Sequence, residues 1–99
     1  MRGEYLSDLK PERRDRMEIV AQILEITKDR AAKTQIMYGA NLSFAQLNKY
    51  LPLMKLDRLI AGTSLANKTI YSITFKGLDF LERYNELVKM LEPPATILK

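Results

Sequence analysis

Apolar positions return at three- and four-residue steps through the first third of the chain. Met17, Val20, Ile23 and Leu24, continued by Thr27, share one face of an amphipathic helix. Pro11 suits the first position of a helix, where a missing N–H costs nothing. Glu12 and Asp15 follow in the first turns, where the helix dipole favours acids. The pattern predicts a helix from Pro11 to about Asp29. A short second helix follows, opening at Thr34 or just after Lys33, with Ile36 and Met37 facing inward and the turn-prone run Gly39 to Asn41 closing it. Ser43 and Gln46 have the spacing of a capping box and start a third helix. Leu47, Leu51 and Met54 form its buried stripe, and it runs to about Arg58. Pro52 lies inside it and lacks a backbone donor, which predicts a kink or a tightened turn between Asn48 and Pro52.

The pattern then changes period. Leu59 to Leu65 and Thr69 to Thr74 are rich in β-branched and aliphatic residues, and the polar Ala66-Asn67-Lys68 between them predicts a β-hairpin. Thr74 is placed to cap a final helix. Its apolar positions Leu78, Leu81, Tyr84, Leu87, Val88 and Leu91 persist up to Pro93-Pro94, which stop it. Two helices joined by a tight turn and followed by a two-stranded wing describe a winged helix-turn-helix. The expected fold is mainly α with a small β-hairpin and a long C-terminal helix. Its parts are an N-terminal arm (1–10), a winged helix-turn-helix (11–74), a C-terminal helix suited to dimerisation (75–92) and a tail (93–99).

Composition narrows the chemistry. Ninety-nine residues suffice for one domain with a modest core. The chain has no cysteine and no histidine, so it has no disulfide, no thiolate metal site and none of the commonest general bases. There is no glycine-rich phosphate loop and no nucleophile with a paired base. The expectation is a protein that is not an enzyme and needs no cofactor. No apolar run reaches the length of a membrane span and no signal-peptide core follows the N-terminus, so a cytoplasmic protein is expected.

Charge is uneven. Arg30 to Leu78 carries seven basic residues and one acid, Asp57, and accounts for the whole excess of +4, since the flanking stretches each hold slightly more acids than bases. A basic block confined to the helix-turn-helix and its wing is the electrostatic footprint of a nucleic-acid-binding surface. In such modules the second helix of the pair enters the major groove, and the first crosses the backbone.

The run Lys33-Thr34-Gln35-Ile36-Met37-Tyr38, with Ala40-Asn41-Leu42-Ser43-Phe44-Ala45-Gln46-Leu47 and Lys49-Tyr50-Leu51, resembles a family of small archaeal winged-helix DNA-binding proteins. Leu59-Ile60, Tyr71 and Thr74 through Gly77 and Leu81 continue the likeness, which covers roughly Arg13 to Leu91. The resemblance implies a homodimer paired through an antiparallel coiled coil of C-terminal helices. It also implies a role in transcription regulation or chromatin architecture, and hence a nucleoid location. The chain departs from the pattern at Arg58, where similar proteins have a glycine before the Leu-Ile that enters the wing, and at Pro93-Pro94, which shorten the last helix.

The candidate site follows. Lys33, Thr34 and Gln35 start the helix that crosses the DNA backbone and are assigned to phosphate. On the third helix, Gln46 and Asn48 suit adenine, Lys49 suits guanine or phosphate, and Phe44 suits a thymine methyl. Gln46 can instead complete its own cap, Phe44 can be a core residue, and Ser43 can both cap and touch phosphate. Asn67 and Lys68 at the wing tip are placed to reach the backbone or a neighbouring groove. Arg13, Arg14 and Arg16, interleaved with acids, read as a solvated or salt-bridged face. Gly77, Leu81, Tyr84, Val88 and Leu91 recur at heptad-like steps, so Leu81, Tyr84, Val88 and Leu91 are candidate dimer contacts. Alternatively, this face packs on the first helix. The expected partners are double-stranded DNA and a second copy of the chain, with no membrane and no small-molecule effector indicated. The rival reading is a winged-helix protein-interaction module without DNA binding, which would need an exposed apolar patch of Phe44, Tyr50 and Leu53.

Overall fold

The computed structural model describes residues 14–91. Its elements are α1 (Arg16–Thr27), β1 (Ala31–Ala32), α2 (Lys33–Gly39), α3 (Phe44–Leu56), β2 (Ile60–Leu65), β3 (Lys68–Ile73) and α4 (Phe75–Leu91). Asp15 is extended, and its carboxylate accepts the Glu18 N–H at 2.8 Å, so α1 is capped there and opens at Arg16 rather than at Pro11. Pro11 itself lies outside the described residues, as do the arm 1–10 and the tail 93–99. Ile19, Ala21, Ile23, Leu24 and Thr27 are buried, whereas Met17 is exposed. The buried face of α1 is therefore turned toward Ile19, because this helix packs on both α2 and α4. The Thr27 hydroxyl, fully buried, donates back to the carbonyls of Ile23 and Leu24, so the core carries no unsatisfied group there.

The turn between α2 and α3 is set by local chemistry. The Leu42 N–H donates to the Met37 carbonyl at 2.9 Å and the Asn41 N–H to the Tyr38 carbonyl at 3.2 Å, with Asn41 at φ 55°. This is a Schellman ending, and asparagine is among the few non-glycine residues that tolerate the left-handed position. Leu42 is buried and anchors the turn. α2 opens at Lys33 and not at Thr34. Its N-cap is Ala32, which has no side-chain oxygen, so Gln35 Oε1 reaches back to the Ala32 N–H at 2.7 Å. Ser43 and Gln46 form the full capping box: Gln46 N–H donates to Ser43 Oγ at 3.1 Å and Ser43 N–H to Gln46 Oε1 at 3.0 Å.

α3 is continuous α-helix across Pro52, without the tightened turn that was one of the two expectations for Asn48 to Pro52. Pro52 is exposed, and the Asn48 carbonyl that loses its donor lies one turn back on the same solvent-facing side, open to solvent. Leu47, Tyr50, Leu51 and Met54 face inward. The helix ends at Leu56 with a second Schellman pattern, Leu59 N–H to Met54 carbonyl at 2.9 Å, and Arg58 sits at φ 62°. An arginine in the left-handed region costs about 1 kcal/mol relative to a glycine.

The wing is part of a three-stranded antiparallel sheet of order β1-β3-β2. The β2–β3 hairpin was expected; β1 was not. Its two alanines pair with Tyr71 and Ile70 and extend the sheet on the free edge of β3. The hairpin closes on the two residues Ala66 and Asn67, with Leu65 opposite Lys68 and Ile60 opposite Ile73, so Lys68 belongs to the strand and not to the turn.

Thr74 joins these parts. Its N–H donates to the Leu59 carbonyl at 3.1 Å. Its hydroxyl donates to the Arg58 carbonyl at 2.6 Å and accepts the Gly77 N–H at 3.0 Å, capping α4 as expected. Gly77 is buried. A Cβ there would stand 2.2 Å from the Leu59 carbonyl oxygen and 2.8 Å from Ile73 Cγ1. Gly77→Ala is expected to lower the free energy of unfolding by about 1–3 kcal/mol, as overpacking against immovable backbone does. Urea denaturation followed by circular dichroism measures it, and an unchanged midpoint would contradict the contact.

Candidate nucleic-acid interface

The N-terminus of α2, the outer face of α3 and the wing meet on one side of the molecule. One groove is lined by Lys33, Asn48, Pro52 and Lys55 over Leu51 and Tyr71. A second, between α2 and the wing, is lined by Lys33, Thr34, Asn67, Lys68 and Thr69, again with Tyr71. Lys33 and the buried Tyr71 belong to both, so the grooves adjoin. Neither lining includes a carboxylate. Asn48, Pro52 and Lys55 follow helical spacing, which places them in one row along α3.

The candidate residues divide. Lys33, Thr34, Asn48, Asn67 and Lys68 lie in the grooves. Lys55, a member of the basic block expected to dock electrostatically with Lys33, Lys49, Lys68 and Lys76, also lines them, as do Thr69 and Tyr71, which had no signal in the sequence. Phe44 is exposed at the first turn of α3, with Lys33 Nζ 5.5 Å from its ring centroid, so it stands at the groove rim and not in the core. Lys49 is exposed outside both linings, its Nζ 5.6 Å from the Tyr50 ring centroid. Ser43, Gln46 and Gln35 are committed to helix caps through the atoms described above. Each cap bond takes one lone pair of the amide oxygen and fixes its direction toward the backbone, so the glutamines keep their NH₂ donors but cannot turn the whole amide toward adenine without giving up the cap.

Several cations are structural. Arg14 donates to the carbonyls of Ala40 at 2.7 Å and Asn41 at 2.9 Å, and also to Gln22 Oε1. It thus binds the carbonyl end of α2 and pins the helix-turn-helix turn to α1. Arg16 is exposed and Arg13 lies outside the described residues. Lys76 Nζ donates to the Asp57 carbonyl at 2.8 Å at the end of α3. Among the described residues, Lys28 pairs with Glu25 at 3.5 Å on α1 and Arg83 with Asp79 at 3.0 Å on α4, both away from the grooves.

The candidate dimer contacts also separate. Leu81 is 2% exposed and belongs to the core, so it has no surface to offer a partner. Tyr84 is half-buried and borders a cleft with Glu18 and Gln22 of α1. Burial, then the nearby Glu18 and Asp15 carboxylates, push its phenol above the usual tyrosine value. The first turns of the heptad-like face thus pack within the protomer. Val88 is half-buried and Leu91 exposed, beside the exposed Leu87 and Met90.

Among the described residues no group of His, Cys, Asp and Glu is placed to hold a metal ion, and no helix is long and apolar enough to cross a membrane. A helix-turn-helix with a capped third helix and an adjoining two-stranded wing defines a winged helix-turn-helix protein. The chain belongs to the winged helix-turn-helix family, which it matches over residues 13–92. It is 31% identical over 88 residues to an uncharacterized protein of Methanocaldococcus jannaschii, a match covering 88% of this chain and 40% of that protein. The chain thus spans less than half the length of that relative. Among solved structures it is similar to Sso10a-2, a DNA-binding protein from Sulfolobus solfataricus, at 27% identity and a TM-score of 0.74, covering 78% of this chain and 81% of that one. The adhesin competence repressor AdcR of Streptococcus pyogenes shares the fold at 15% identity and a TM-score of 0.61, covering 91% and 77% of the two chains. ZitR of Lactococcus lactis does so at 16% and 0.56, covering 81% and 64%.

Proposed function

We propose that this protein binds double-stranded DNA, with α3 in the major groove, the α2 N-terminus on the backbone and the wing against adjoining phosphates. The observation that carries the reading is the pair of adjoining grooves, which set Lys33, Lys55 and Lys68 with Thr34, Asn48 and Asn67 on one carboxylate-free surface. The likeness to Sso10a-2, a DNA-binding protein, over most of both chains supports it. Readout of sequence is limited in this picture. α3 carries no arginine, the commonest guanine reader, and Gln46 is held by its cap. Phosphate contacts therefore dominate, which favours an architectural role on the nucleoid, in the cytoplasm, over a highly selective regulator. A protein-interaction module without DNA binding has less support, because Tyr50 is buried and leaves only Phe44 and Leu53 of the required patch at the surface.

The protein acts as a homodimer in this proposal, and the contact lies at the end of α4. Leu87, Met90 and Leu91 are 53%, 78% and 85% exposed and stand three and four residues apart, with Val88 beside them. No effector is required.

Two outcomes are expected. Fluorescence anisotropy on a random duplex across a salt series should show affinity falling steeply with salt. In Lys33→Ala/Lys68→Ala the slope of log K against log salt should be shallower by about two units, one for each lost phosphate contact. An unchanged slope would move DNA off this face. In sedimentation equilibrium the wild type should be dimeric and Leu87→Glu/Met90→Glu monomeric with its fold retained. A dimer that tolerates both charges would place the interface elsewhere.

A further inference from the structure

Phe75 is the most exposed of the large apolar side chains described, at 91%. It is the first residue of α4, directly after Thr74, whose three hydrogen bonds fix the local backbone. Its position is thus set, while its ring adds nothing to the core. The ring borders a shallow, mainly apolar depression with Ile60 and Ala61 in its lining and Lys55, Arg58 and Lys76 around it. Lys76 is held there by its bond to the Asp57 carbonyl. Asp57 and, one turn along α4, Asp79 are the nearby acids, and Asp79 is paired with Arg83, so the cluster retains a net positive charge.

We propose that this depression binds single-stranded nucleic acid, with Phe75 stacking on an unpaired base and Lys55, Arg58 and Lys76 neutralising the adjacent phosphates. The site combines an aromatic face with a ring of cations, and a nucleotide chain is the polyanion that also offers planar apolar surfaces. Duplex DNA supplies the phosphates but hides its base faces in the stack, so it leaves Phe75 without a partner. A second copy of the chain fits poorly, since a two-fold contact here would set the same three cations against each other. Lys55 also lines the groove between α2 and α3, so a strand leaving a duplex on that face can continue onto this one. The site does not depend on the duplex reading, and the two fail separately.

The test is anisotropy with labelled oligo-deoxythymidine and with a random duplex, on the wild type, Phe75→Ala and Phe75→Trp. Phe75 makes no core contact, so both variants are expected to fold, which circular dichroism checks. Phe75→Ala should weaken oligo-deoxythymidine binding by roughly five- to a hundredfold, the loss of one stacked base, and change duplex affinity by less than about twofold. Phe75→Trp should retain binding, and its emission should be quenched by the oligonucleotide and not by poly-glutamate. The proposal is overturned by an absence of oligo-deoxythymidine binding at low salt. Equal losses of single-strand and duplex binding in Phe75→Ala would overturn it too, as would equal quenching by poly-glutamate, which would mark an acidic-peptide site. Loss of single-strand binding in Lys33→Ala/Lys68→Ala but not in Phe75→Ala would place the strand on the duplex face instead. Phe75-dependent binding without any duplex binding would leave this site standing and remove the duplex reading.

Discussion

The Leu59 carbonyl oxygen takes the Thr74 N–H at 3.1 Å and lies where a side chain on residue 77 would have to stand, 2.2 Å from an added Cβ. Thr74 closes the same knot through its hydroxyl, which donates to Arg58 and caps Gly77. The end of α3, the root of the hairpin and the start of α4 are thereby held at van der Waals limits around a few backbone atoms. The end of α3 and the root of the wing are therefore positioned by the same few backbone atoms. The absence of a side chain at Gly77 also lets α4 lie close on α1, where Leu24 Cδ2 would stand 3.1 Å from an added Cβ, and Leu81 is buried in the same core.

A second constraint shapes the surface. The turn of the helix-turn-helix must be closed by local hydrogen bonds, and it uses the polar side chains that would otherwise face a ligand. Ser43, Gln46 and Gln35 serve caps, and Arg14 serves the carbonyls of Ala40 and Asn41. Lysines, which are flexible point charges, are left in the grooves. A surface of this kind is suited to phosphate and tolerant of sequence, and its charge is concentrated where the wing and α2 adjoin.

Much of this was legible in the sequence because it is periodic or local. The third helix, with its capping box and its stripe Leu47, Leu51 and Met54, follows from spacing alone, as do the hairpin and the Thr74 cap. The strained end at Arg58 was expected only from the resemblance, since nothing in the spacing marks it. The rest depends on tertiary partners. β1 is two alanines with no alternation to read, and it is a strand only because β3 has a free edge. Ile19 replaces Met17 on the inner face of α1 because α4 packs there. The heptad-like row on α4 is real as a pattern, but its first turns are taken up within the protomer, and nothing in a 4–3 spacing distinguishes an inner partner from an outer one. Pro52 pointed to a kink or a tightened turn, and the helix stays α through it, since an exposed proline loses only a bond that water can replace.

DNA docking on the groove face is tested most directly by titrating a random duplex into ¹⁵N-labelled protein and following its backbone amides. The fold and charge predict shifts at Lys33, Thr34, Asn48 and Lys68, with Glu18 and Asn85 in the α1–α4 cleft unmoved. Shifts centred on that cleft, with the grooves silent, would contradict the assignment of this surface to DNA.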